Sequence, residues 1–461
     1  MPEKQDYNEL KRNTIIIGIS NIGSKAISFV LAPLYSYYLS TSQYGTMDII
    51  TTTSGLVMPL LCLDIYEATF RFTNDKKYED KTVFSSSFLL SFLMSLLSIL
   101  FVALVNTIVS VPTAITYSVL LAIIDANYQV LNQFTRGQNR MKVYALSGVI
   151  NSVFLLISDI LFLILLHYGL TGWIIAYLIG KFVACVYMVL AINIRKFFSL
   201  KSVDKEFYKV AAKYALPLLP STMMWWVMNA SDRYVIAIFV GTTANGIYAV
   251  ANKMPSLLSV FENIFYQAWQ TSSINALEDN NRDEFYSKIF KNYFSILGLG
   301  VLGLLIILKP VTIRLFAHGY ESAWMYTAVL VVAVMFHALG GNLGTFYGTF
   351  KSTKGALITA IVGAATNIIL NLIFVPHWGI IAAAITTLIS YAIVLLYRWW
   401  DVKKFVKLTI SSKFVILWLL VITVQFTLYY IPGVGSYLIR TIILLITLYC
   451  NKTLLLKLLK H

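Results

Sequence analysis

Long apolar stretches separated by short polar ones make up most of this chain. Stretches able to cross about 30 Å of hydrocarbon fall near 14–39, 46–70, 83–106, 113–134, 144–166, 170–194, 214–240, 246–272, 289–308, 323–350, 355–375, 378–400, 413–431 and 436–456. They predict an all-α polytopic membrane protein with about fourteen transmembrane helices. The eighth stretch is diluted by Lys253, Glu262 and Gln267. Periodicity inside these stretches adds little, because a membrane helix can be apolar all round.

Composition agrees. Of 461 residues, 58% are hydrophobic and 12% charged, where a soluble domain is nearer half and a quarter. Cys62, Cys185 and Cys450 each sit in an apolar stretch, and no CxxC or Cys/His cluster is present. Neither a disulfide framework nor a metal site is indicated, and no cofactor. The opening "MPEKQDYNELKRN" is polar and mixed in charge, unlike a cleavable signal peptide.

The loops set the orientation. One alternate set carries nearly all the basic residues, from Lys11, Arg12, Arg71 and Arg136 through the cluster Arg195–Lys213 to Arg398, Lys403 and Lys457. The other set holds only Lys309 and Arg314. By the positive-inside rule both termini are cytoplasmic. The net charge of +15 is mostly this asymmetry and implies attraction to anionic headgroups, not nucleic-acid binding.

A repeat runs through the chain. "LSTSQYGTMDII" aligns with "VGTTANGIYAVA", placing Thr41 on Thr242, Gly45 on Gly246 and Ser20 on Ser221. "GLTGWIIAYLIGKFVACVY" aligns with "GIIAAAITTLISYAIVLLY", placing Gly169 on Gly379 and Tyr187 on Tyr397. The expected organisation is a first lobe of six helices (1–194), a cytoplasmic linker (195–213), a second lobe of six (214–408) and an extra helix pair (409–461). Six is even, so the lobes are parallel repeats with a cavity between them.

Charges inside the spans face a bundle interior or water. Asp159 and Lys181 are equally far from the turn near Leu170, as are Asp232 and Lys253 from the turn near Thr242. Each pair lies roughly 12–16 Å below the outer surface and could be a buried ion pair. Lys25 and Arg233 face no acid at equal distance from a turn in the sequence. Arg233 follows Asp232 and points about 100° away from it, which suits a cavity. Asp125, near mid-depth on the fourth span, could pair with Lys25 or take part in ion coupling. Asp48, Asp64, Glu67, Glu262 and Arg440 lie near the interfaces, where snorkelling is expected. The cations Lys25, Arg233 and Lys253, with Asp232 beside them, form the candidate substrate site. A cationic cavity suits an anion, with Arg fitting phosphate oxygens as a fork.

"SDRYVIAIFVGTTANGIYAVANKMPSLLSVF" resembles the seventh and eighth spans of polysaccharide flippases in the multidrug/oligosaccharidyl-lipid/polysaccharide exporter superfamily. "PLYSYYLSTSQYGTMDI" is similar to the matching first-repeat signature. "TNIILNLIFVPHWGIIAAAITT", with Asn367, Asn371, Pro376 and Gly379, resembles the eleventh-to-twelfth span motif. The resemblance covers essentially the whole chain. It implies a non-enzymatic transporter in a bacterial cytoplasmic membrane. Such a protein moves undecaprenyl-pyrophosphate-linked oligosaccharide units to the outer leaflet by alternating access. Its partners would be that lipid-linked oligosaccharide, membrane lipid and the other polysaccharide assembly proteins.

Two relatives compete as readings: a multidrug antiporter, usually of twelve spans, and a lipid II flippase, whose cavity is typically richer in Arg. A membrane polymerase would need catalytic groups in a large outer loop. The largest here, 309–322, offers Arg314, His318 and Glu321 without a nucleophile. In the tenth span Gly340, Gly341, Gly344 and Gly348 fit close helix packing or a bend.

Overall fold

The computed structural model describes residues 27, 29–75, 77–277, 279–350 and 352–459. The described residues are helical with short connections and contain no strand. Lipid cannot satisfy backbone N–H and C=O groups, so each crossing segment closes its own hydrogen bonds as a helix. Residues 29–38 are helical and lead into α1 (Thr41–Cys62) and α2 (Ile65–Asp75). Then come α3 (Asp80–Ile108), α4 (Thr113–Gly137), α5 (Met141–Asp159, continued by a π-helix, Ile160–Leu165) and α6 (Gly169–Ala191). A short α7 (Lys205–Ala215) precedes α8 (Leu219–Phe239), α9 (Thr242–Ala251) and α10 (Pro255–Asn275). The chain continues through α11 (Arg282–Leu315), α12 (Ala323–Thr349), α13 (Thr353–Trp378) and α14 (Ile380–Asp401) to α15 (Ser412–Tyr430), α16 (Val434–Cys450) and α17 (Lys452–Leu459).

Among the described residues nine helices are long and apolar enough to cross a membrane alone, or ten if the bent pair α1–α2 is one span. The other expected spans differ for local reasons. The first lies mostly outside the described residues. The seventh is α8, whose polar Asn229–Arg233 stretch lowers its hydropathy. The eighth is broken: residues 252–254 form turns, and Pro255 restarts the helix at its first position, where its missing N–H costs nothing. The fourteenth, α16, has only 17 residues. The second span bends by 58° because Leu63 and Asp64 take left-handed φ values of 54° and 52°.

The chain divides into two compact units, Met1–Ala230 and Ser231–His461, and the division falls within α8. Each unit shows the repeat in its backbone. Thr41 and Thr242 both open helices, α1 with a capping box in which Ser40 and Gln43 exchange hydrogen bonds. Gly169 and Gly379 both start the sixth helix of their repeat with positive φ, 54° and 63°, which glycine adopts without steric cost. A 3₁₀ turn follows each sixth helix, Ile194–Lys196 and Val402–Lys404. The segment beyond is tied to the start of the third helix in the same way. Ser199 N donates to Ser85 Oγ at 2.9 Å, and Thr409 N to Ser287 Oγ at 2.9 Å.

Helices do not associate in lipid through the hydrophobic effect, so close packing carries the fold. Gly180 sits against the Asn151 carbonyl, where a Cβ would come to 2.9 Å, and Gly137 against Thr73, where it would come to 2.7 Å. Outward faces are apolar: on α3, Phe92, Leu100, Phe101 and Leu104 are more than half exposed. The last pair docks onto α11, whose Gly298 admits the Trp418 ring of α15. Arg440 of α16 is fully buried there. It donates to the Leu305 carbonyl at 2.7 Å and the Ser436 carbonyl at 3.3 Å, beneath the Tyr437 ring.

Candidate functional site

Each unit holds a polar cluster on its sixth helix. In the first unit, Lys181 of α6 pairs with Asp125 of α4 at 2.9 Å. The Tyr177 hydroxyl donates to the same carboxylate at 2.9 Å, and the ammonium lies 4.3 Å from the Tyr128 ring centre. Lys181 and Tyr177 are one helical turn apart and share a face, so α6 presents a donor pair to one acid. Asp159, fully buried, accepts instead from the Tyr35 hydroxyl at 2.6 Å.

This corrects one expected pairing, while the possible pairing of Asp125 with Lys25 falls on a residue outside the described ones. Asp159 and Lys181 are equally far along the chain from their turn but do not meet, and the partner of Asp125 among the described residues is Lys181. Distance from a turn fixes depth, not direction. The π-helix just after Asp159 also changes the rotation per residue between that side chain and the turn.

In the second unit, Asp232 of α8 is buried and accepts a hydrogen bond from the Tyr248 hydroxyl of α9. A tyrosine thus reaches Asp232 across the hairpin. Lys253 lies in the break between α9 and α10 and is partly buried, as is Arg233. Beside Asp232, Ser231 Oγ donates to Asn367 Oδ1 at 2.7 Å, Asn371 Nδ2 to Asn367 Oδ1 at 3.0 Å, and Thr386 Oγ1 to Asn371 Oδ1 at 2.6 Å. Asn367 Nδ2 reaches Thr387 Oγ1 at 3.4 Å. A buried network of this kind fixes α8, α13 and α14 in one register, since an unmade bond inside the bundle costs about 1–3 kcal/mol. Thr387 and Tyr391 stand at the repeat positions of Tyr177 and Lys181. The same stretch of the sixth helix thus carries the polar cluster in both units.

Several charges are placed differently from the sequence expectation. Lys25 lies outside the described residues. Asp64 and Arg440 are fully buried and do not snorkel. Asp64 is turned inward by its left-handed backbone, within 3.4 Å of Thr222 Oγ1. Glu262 faces His337 of α12, Oε1 to Nδ1 at 3.0 Å. Arg398, expected in a cytoplasmic loop, is buried on α14. It donates to the Gly340 carbonyl at 2.9 Å and to Thr359 Oγ1 at 3.1 Å. Here the tenth-span glycines have a use: a Cβ at Gly344 would lie 2.5 Å from Arg398 Nη1, and one at Gly341 3.3 Å from Glu262 Oε1. Two charged side chains thus enter against a glycine face. A sequence signal existed, since "GGNLG" on one span and a basic residue near the end of another can be read as a socket and its occupant.

Between α11 and α12, His318 and Glu321 are exposed and paired with each other at 3.0 Å. Backbone N–H groups and His318 hold the Glu321 carboxyl below the usual carboxylate range. No group of three His, Cys, Asp or Glu able to hold a metal occurs among the described residues.

An all-helical bundle with internal repeats, each burying a polar cluster within its spans, is the construction of a polytopic membrane transporter. The chain belongs to the polysaccharide biosynthesis protein family, whose model matches residues 10–270. It is 22% identical over 264 residues to the probable flippase AglR of Haloferax volcanii, covering 55% of this chain and 54% of that one. It is 19% identical over 405 residues to the uncharacterized membrane protein MJ1375 of Methanocaldococcus jannaschii, covering 83% and 95%. Its fold is similar to that of the lipid II flippase MurJ in an inward closed conformation (TM-score 0.72, 16% identity, 97% of this chain and 100% of that one). It is also similar to an inward-facing multidrug resistance MATE family transporter of the MOP superfamily (TM-score 0.62, 15% identity, 85% and 94%).

Proposed function

We propose that this protein flips polyprenyl-pyrophosphate-linked oligosaccharide units across the cytoplasmic membrane for cell-surface polysaccharide assembly. Both termini are then cytoplasmic, and the two lobes work by alternating access. The observation that carries the reading is the family match, whose span includes α8, α9 and most of α10, with Asp232, Arg233 and Lys253. The similarity to a probable flippase supports it. Arg233, Lys253 and Lys25 supply the positive charge for the pyrophosphate, with Asp232 fixing the turn of helix that presents Arg233. The polyprenyl tail stays in lipid. Two other readings keep support from the fold: a lipid II flippase, from the likeness to MurJ, and a drug antiporter, from the likeness to MATE transporters.

The test is Arg233→Ala in a polymer-producing host. Surface polymer should fall about tenfold or more, because a hydrogen bond to a charged group is worth about 1.5–3 kcal/mol. Lipid-linked units should accumulate on the cytoplasmic leaflet at normal protein abundance. Arg233→Lys should recover part of the export, since the charge remains and the fork is lost. Full export from well-expressed Arg233→Ala would remove that residue from the substrate site. Rescue of a lipid II flippase defect, or drug efflux without polymer export, would favour the other readings.

A further inference from the structure

The short helix α7 has features that transport does not explain. After the 3₁₀ turn that closes the first repeat, the chain builds this helix; after the equivalent turn in the second, residues 405–411 are non-helical and lead straight to α15. Phe207, Ala211 and Ala215 of α7 are all 0% exposed and recur every four residues. Lys205, Lys209 and Lys213 recur at the same spacing, two residues out of phase, hence about 200° round the helix. All three are exposed, as are Arg195, Lys196 and Lys201 just before them. Glu206 pairs with Lys209 at 2.8 Å, and Asp204 is used as the helix cap, accepting from Glu206 N at 2.9 Å.

The helix is locked in rotation. The Tyr208 hydroxyl donates to the Ser86 carbonyl at 3.0 Å, and Asp204 N to Ser86 Oγ at 3.2 Å. Phe207 packs edge-on against Phe72 and Tyr78, with centroids 5.8 and 5.5 Å apart. Ser86 also fixes the depth. It lies six residues before Phe92, among the first strongly exposed apolar side chains of α3, about 9 Å along that helix at 1.5 Å per residue. With hydrocarbon beginning near Phe92, this sets Ser86 at the headgroup level. Exposed Phe198, Leu200, Tyr214 and Leu216 flank the basic residues.

We propose that α7 and the segment before it form a docking surface for anionic phospholipid. Lys205, Lys209 and Lys213 meet the phosphates, and the flanking apolar side chains meet the start of the acyl chains. Charge complementarity and depth select lipid: a lysine row bordered by apolar side chains at this level matches a headgroup above its tail. The surface stands independently of the transport reading.

The experiment uses the full chain purified from mixed micelles of phosphatidylglycerol and phosphatidylcholine, with retained lipid measured by mass spectrometry at rising salt. Wild type should retain phosphatidylglycerol preferentially and lose it as salt rises. Lys205→Gln with Lys209→Gln and Lys213→Gln should reduce retention at least about fivefold, roughly the factor one lysine supplies near an anionic surface. The equal charge change Lys403→Gln, Lys407→Gln and Lys413→Gln should leave most of it. The three lysines changed to Arg should retain lipid like wild type, which separates loss of charge from loss of fold. Unchanged retention in the first glutamine variant, or equal loss in the second, would overturn the proposal. So would a first variant that keeps its lipid and loses a co-purifying acidic protein.

Discussion

The polar residues inside the spans are held by specific partners, and the partner decides what a substitution does. Asp125 and Lys181 are an ion pair in each other's company and a largely desolvated lone charge without it. Asp125→Asn alone should cost about 3–5 kcal/mol, and adding Lys181→Met should restore much of it, because a lone buried charge costs more than an absent pair. Combining Lys181→Met with Asp159→Asn should give simply additive losses, as expected for groups that share no bond. Thermal unfolding of the purified variants measures both, and coupling between Lys181 and Asp159 would contradict the geometry. The distance from a turn was legible in the sequence, and it set Lys181 level with Asp159 where the structure pairs Lys181 with Asp125. Which charges meet was not legible, because direction depends on helix phase, and a π-helix or a left-handed residue changes phase without leaving a mark in hydropathy.

At the level of single helices, glycine separates packing from flexibility. Gly344 and Gly348 lie one turn apart on α12. The first faces the Arg398 guanidinium, and a Cβ at the second would meet open space. Gly344→Ala should therefore destabilise by about 1–3 kcal/mol, the usual cost of overpacking, and Arg398→Met should relieve it. Gly348→Ala should be neutral or stabilising by up to about 1 kcal/mol, the helix-propensity gain. A loss at Gly348 equal to that at Gly344 would argue for a bend. The helices themselves were plain in the apolar pattern. The break before Pro255 was signalled by "NKMP", whereas the bend at Leu63 and Asp64 carries no glycine or proline at the bend itself. It shows only as an acid that a straight span would not bury.

For the whole molecule, the internal repeat was legible in a few aligned residues, and the backbone repeats them as helix starts, positive-φ glycines and the paired serine ties Ser85–Ser199 and Ser287–Thr409. Those ties could not be read from sequence, since serine is common at helix ends. Orientation rests on loop charge. Reporter fusions at Lys205 and Lys404 should signal cytoplasm, and fusions at Thr242 and Gly433 the outside. A cytoplasmic signal at Thr242 would undo the orientation, the expected side of α7 and the direction of transport together.

Arg440 bears on how the protein is made. An Arg at the centre of an isolated span costs about 2.5–3.5 kcal/mol to insert, and α16 has only 17 residues to offset it. Its carbonyl partner Leu305 lies on α11 and its ring partners on α15 and α16. During synthesis, then, α16 is poorly able to enter the bilayer alone. It has to arrive with α15 onto an α11 already in place, so its insertion depends on earlier helices of the same unit.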